Sequence, residues 1–147
     1  MRTTSGKKHQ RSLPSHPVVG PRIRVARAKN SIRITAEALF IGDDLLVSIW
    51  GGTHPHVGAG AMAVPRPSLE DPRVTSATSS VLTRIGHKED EIVKKVSEEL
   101  SAALKTTVVV AAGIHWGGLS EDGIETVRSV CGNLVRDLVL RASKRKQ

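Results

Sequence analysis

Three short segments of this chain pair glycine with histidine: Gly51-Gly52-Thr53-His54-Pro55-His56-Val57-Gly58, Gly86-His87-Lys88 and Gly113-Ile114-His115-Trp116. Imidazoles donate and accept hydrogen bonds, carry protons and ligate metals. Glycine lets a ligand or another strand come close to the backbone. Gly86-His87-Lys88 stands just before a helical pattern. A helix start there offers free N–H groups, the positive dipole end and a lysine ammonium, which together suit phosphate. Taken alone, the same three residues also read as an ordinary turn between strand and helix. His56, His87 and His115 are of the right type for zinc, but no HExxH or paired-cysteine pattern accompanies them. No carboxylate stands beside them in an obvious base role. His54 reads as an exposed loop residue. Trp50 and Trp116 flank these segments, either as core or interface anchors or as platforms for a flat ring.

The elements that must position these residues follow from periodicity. Segment 79–85 alternates as a strand does. Residues 89–104 have helical spacing, with Ile92, Val96, Leu100 and Ala103 on one stripe. Val108 to Ala112 is apolar on both faces, as a central strand must be. Strand, helix and strand make a βαβ unit, whose two strands should run parallel with a right-handed crossover. Upstream, 22–28 alternates Arg with Ile, Val and Ala and fits an edge strand blunted by charge. Segment 31–40 alternates again, Gly42-Asp43 turns the chain, and 44–50 is the next strand. Segment 57–64 (VGAGAMAV) is a strand of small residues, against which a helix, a second subunit or a ligand should pack closely. Residues 65–76 read as a polar, proline-rich connection. Ser120 caps a last helix with Glu121 and Asp122 in its first turn, and Ile124, Val127, Cys131, Leu134 and Leu138 form its buried stripe.

Topology then gathers the histidines. If 44–50 runs up, 57–64 runs down as its hairpin partner, and 79–85 and 107–114 both run up. All three glycine–histidine segments then fall on one upper edge, within ~10–15 Å at a strand spacing of ~4.8 Å. The expected class is α+β: one mostly antiparallel sheet with one βαβ unit and helices packed on it.

The totals bound what such a rim is for. At 147 residues, one domain with an ordinary core is expected. The formal charge is +8, but it is uneven. Residues 1–33 carry nine Lys or Arg and no acid, and 141–147 carry four more. Residues 34–140 hold nine basic and fourteen acidic side chains, so the folded part is mildly acidic and the tails are basic. With one Phe, two Trp and no Tyr, base-stacking platforms are hard to build, so nucleic acid is not the expected partner. No apolar run approaches the ~20 residues that span a membrane, and no apolar segment follows the basic N-terminal residues as in a signal peptide. A lone Cys131 on a helical stripe fits a buried structural thiol in a reducing cytoplasm. The expected division is a disordered basic arm at 1–21, one domain at 22–141 and a basic tail at 142–147.

Three segments also carry a family likeness. The glycine–histidine loop 51–58, the segment ATSSVLTRIGHKEDE from Ala77 to Glu91, and VVVAAGIH from Val108 to His115 together resemble the prenylated-flavin chaperone family, over about residues 32–138. That family includes the small D subunits of gallate and hydroxybenzoate decarboxylase systems. The resemblance implies a fold similar to the proteasome-assembly chaperones, usually paired as a homodimer. It also implies an accessory role, binding or delivering prenylated FMN (or FMN) for a non-oxidative aromatic-acid decarboxylase, rather than catalysis. Placed on the rim, the expected cofactor-binding residues are Gly51, Gly52, His54, His56, Gly58, Gly86, His87, Lys88, Gly113 and His115, with no catalytic residue and no metal. Trp116-Gly117-Gly118 departs from the more polar turn expected there. Two other functions fit the same residues: a protein-only assembly factor for a decarboxylase, and a small histidine-dependent metalloenzyme.

Overall fold

The computed structural model describes residues 19–86 and 89–145. The element order is β1 (Val19–Lys29), β2 (Ile32–Ile41), β3 (Asp44–Gly52), β4 (Ala59–Pro67), β5 (Thr75–Thr83), α1 (Asp90–Leu104), β6 (Val108–His115) and α2 (Glu121–Ser143). The expected N-terminal arm lies outside the described residues up to position 18. Its last three residues belong to β1, and α2 runs two residues into the expected tail. Among the described residues, no helix is long and apolar enough to cross a membrane.

The six strands form one sheet in the order β1-β2-β3-β6-β4-β5. Only β3 and β6 pair in parallel; every other neighbouring pair is antiparallel. The α+β class therefore holds, and β5 and β6 run parallel as the βαβ reading requires. The expected hairpin between β3 and β4 does not form. Strand β6 sits between them, pairing Leu45 with Val108 on one side and Ala61 with Val110 on the other. The physical reason is that β6 is apolar on both faces and gains most from being flanked on both edges. Strand directions are as expected, so the upper edge survives the change in order.

Residues 65–67 are strand rather than connection, despite two prolines. Pairing of β4 with β6 ends at Ala63, while pairing with β5 continues to Pro67. Beyond Ala63 one side of β4 is a free edge, where proline's missing N–H costs no ladder bond. Strand β5 correspondingly begins at Thr75 and ends at Thr83, so Ile85 is not strand but a fully exposed turn residue.

Both helices cover the same face. Ile34, Ala36, Val47, Val110 and Ala61 point into a single core with Val93, Leu100, Leu134 and Leu138 from the helices. Helix α1 lies over β4, β5 and β6, and α2 over β1 and β2. The small residues Ala59, Ala61 and Ala63 are buried, and the element that packs close to their strand is α1. The expected stripe of α1 is rotated: Ala103 is exposed and Ile92 half-buried, while Ser97 and Ser101 are fully buried. Ser101 donates to the Thr106 carbonyl at 2.8 Å and Ser97 to the Lys94 carbonyl at 3.0 Å, so both hydroxyls are satisfied. In α2, Ser120 accepts from the Gly123 N–H at 3.2 Å, the expected cap. Asp137 of α2 ties to Arg27 of β1 at 2.5 Å, and that hydrogen bond holds its carboxyl below the usual range.

Candidate functional site

The upper edge is built where β3, β5 and β6 end and β4 begins. Because β6 separates β3 from β4, the chain between them must cross over the end of β6. Two backbone hydrogen bonds lace that crossing down: Thr53 N–H to the His115 carbonyl at 2.9 Å and Gly58 N–H to the Ala112 carbonyl at 2.8 Å. The contact is closest at Gly113, where a Cβ would lie 1.0 Å from the His56 carbonyl oxygen. At Gly52, φ is +95° and a Cβ would lie 1.8 Å from the His115 carbonyl oxygen. These glycines are thus fixed by one strand end passing beneath another segment, which leaves no room for a side chain.

The crossing brings His56 over His115. Their rings lie 5.7 Å apart between centroids, tilted by 58°. His56 donates from Nδ1 to the His54 carbonyl at 2.8 Å, which in the neutral ring makes Nε2 an acceptor. His54 is exposed, as expected, with Nδ1 3.1 Å from the Thr53 hydroxyl. The structure therefore collects Gly51, Gly52, His56, Gly58, Gly113 and His115 in one place. His87 and Lys88 lie outside the described residues.

Just behind this rim, on the helix side of the sheet, is a cavity of about 310 Å³. Ile92, Ile114, Trp116, Leu119, Ile124 and Val127 form its apolar wall, while Gly86, Glu89 and His115 also line it. Ile124, expected on the buried stripe of α2, is instead 44% exposed. Glu89 is buried, and its carboxylate packs against Gly58, where a Cβ would come within 2.7 Å. With Asp90 and Glu91 it puts three carboxylates at the start of α1, which already compensate the helix dipole there.

The tryptophans stand on opposite faces. Trp116 enters the cavity wall. Trp50 pairs with Thr35 on the open face of the sheet, under the Arg24 guanidinium at 5.5 Å. They cannot clamp one ring between them. Sequence reasoning missed the cavity wall because Ile92, Ile124 and Val127 read as ordinary core stripe. Their only advance signal was their place in the first turns of two helices that start at the same edge.

Elsewhere, a smaller cleft of about 140 Å³ between α1 and α2 is lined by Cys131 and Val96. Burial pushes the Cys131 thiol up to about 12, so it should be inert. A thiol-alkylating reagent at pH 8 is expected to leave the native protein unmodified and to label it fully in denaturant, as read by mass spectrometry. Among the described residues, no group of three or more His, Cys, Asp or Glu side chains is placed to hold a metal ion.

A family model for the prenylated flavin chaperone LpdD-like domain matches residues 28–143. The chain belongs to that family. The match takes in every described element except most of β1, of which only Ala28 and Lys29 fall inside, so the rim and the cavity both lie within it. Among solved structures, the chain is similar to one in a chaperone complex for yeast 20S proteasome assembly. The TM-score is 0.53 at 12% identity, covering 86% of this chain and 98% of that one. At that identity the likeness speaks for the fold, a six-stranded sheet with helices on one face. No curated protein matches.

Proposed function

We propose that this chain is an accessory protein that binds prenylated FMN at the His56–His115 rim and passes it to a cytoplasmic decarboxylase acting on aromatic acids. The observation that carries the reading is the pairing of two close imidazoles with an adjoining apolar cavity, in a chain of the prenylated flavin chaperone family. His115 can supply a ring N–H for a phosphate, and the cavity has room for one end of a ring system. The bound group would supply decarboxylation chemistry only in the enzyme that receives it. The residues of this chain bind it, orient it and shield part of it from water.

The open face of the sheet favours protein contact as well. Ile41, Met62 and Val64 are each about half exposed (48%, 50% and 48%), and all three lie on strands that the helices cover only from the other side. Exposed apolar residues on one sheet face suit an interaction surface, and a homodimer formed through this face fits them.

The test is titration of the purified full chain with FMN and with prenylated FMN under anaerobic conditions, followed by flavin fluorescence. Saturable binding is expected, weakened about tenfold or more when His115 is changed to Ala, the loss of one hydrogen bond to a charged group. If neither flavin binds the wild-type chain, the cofactor role is wrong.

A further inference from the structure

We propose that the cleft between α1 and α2 is a binding site, separate from the rim, for a small cyclic carboxylate: a single ring bearing one acid group. Its floor is Ile92 and Val96 of α1 with Cys131, Gly132 and Val135 of α2. Gly132 stands at the middle of the 23-residue α2, where glycine is among the poorest helix formers. A close neighbour commonly accounts for such a residue. Gly123 of the same helix has one, since a Cβ there would press on the Leu119 side chain at 2.8 Å. A Cβ at Gly132 would meet nothing within 4 Å. Its missing side chain therefore keeps open a space that the described chain does not fill.

Size and charge name the occupant. The space is about 140 Å³, close to the ~150 Å³ of apolar cavity that takes up one benzene ring and too small for a drug-sized ligand. Lys95 and Arg128, one from each helix and both well exposed, line its mouth. Lys95 has its partner Glu99 at 3.8 Å, outside hydrogen-bond reach. Arg128 gives Nη2 to Glu91 at 3.2 Å, while its Nη1 stands 3.8 Å from Glu125. Both cations thus keep N–H groups that no carboxylate among the described residues accepts. Burial raises the Cys131 thiol and the Lys95 charge works against it, which puts the ammonium near the floor. A ring laid against Gly132 buries its apolar surface, and a carboxylate on its edge meets the ammonium and the guanidinium. Ile92 lines both this cleft and the cavity behind the rim, so the two sites are one side chain apart.

The experiment is calorimetric titration of the full chain with benzoate and with benzamide, its neutral isostere. Benzoate is expected to bind with a dissociation constant on the order of 0.1–1 mM, as a ligand of this size can. Benzamide should bind about tenfold or more weakly, lacking the charge-assisted contact. Lys95→Met should weaken benzoate by a similar factor and leave benzamide unchanged. Gly132→Leu should fill the cleft, abolish benzoate binding and raise the urea midpoint, because leucine is the better helix former. Gly132→Ala is the smaller filler, expected to weaken benzoate while also raising the midpoint, and circular dichroism checks that each variant is folded. No saturable binding of benzoate by the wild type would overturn the proposal. So would benzoate binding that Gly132→Leu leaves intact, which would place the ligand elsewhere. Benzamide binding as tightly as benzoate would also overturn it, leaving an apolar socket that does not recognise an acid.

Discussion

Gly113→Ala is expected to disrupt the rim more than any other single methyl group added to this chain. The new Cβ would lie 1.0 Å from the His56 carbonyl oxygen. Both are anchored to backbone, so no rotamer change relieves the clash. The crossing segment must lift away from β6, breaking the Gly58–Ala112 and Thr53–His115 hydrogen bonds and parting the two imidazoles. A loss of about 1–3 kcal/mol in stability is expected from overpacking of this kind, measured by urea denaturation, along with loss of saturable flavin binding. Gly117→Ala is the control, since a Cβ there meets nothing within 4 Å, and it should change neither quantity. If Gly113→Ala keeps wild-type stability and binding, the chain between β3 and β4 does not cross where the structure puts it.

Leu100→Ala should cost the fold more and the rim less. Leu100 is fully buried in α1, inside the core that joins both helices to the sheet. Removing its side chain forfeits transfer free energy and leaves a cavity, together about 2–5 kcal/mol. That is a large share of the ~5–15 kcal/mol typical of a domain. Because Leu100 lies two turns along α1 from Ile92, the molecules that remain folded should bind flavin as the wild type does. The denaturant midpoint and a flavin titration at low temperature read the two effects separately. A wild-type midpoint would mean that α1 does not pack on the sheet through this residue.

Much of the architecture was legible because alternation and helical spacing are local. The burial of Ile32, Ile34, Ala36, Ala38 and Phe40 on one face of β2 follows directly from their period of two. What local pattern does not carry is which strands are neighbours. An eight-residue link between two strands reads as a hairpin, yet β3 finds its partner some sixty residues later in β6. The face of α1 was misjudged for a related reason. A hydrophobic stripe ranks Ala103 above Ser97 and Ser101, but the facing strand is small, and two self-satisfied serines fit close against it.

The sequence alone determined the strand directions, and with them the upper edge that holds His56 and His115. Direction depends only on counting elements, and an error in strand order leaves it unchanged. The three segments also pointed to the family that residues 28–143 match. Only the tertiary structure decided that β6 lies between β3 and β4, so that one segment has to ride over the end of another. That crossing explains why Gly52 and Gly113 must lack side chains, why His56 faces His115, and why Trp50 and Trp116 end on opposite faces. The aliphatic cavity likewise exists only because the first turns of α1 and α2 come together behind the end of β6. Contacts between residues far apart in the chain are set by packing, which no local spacing records.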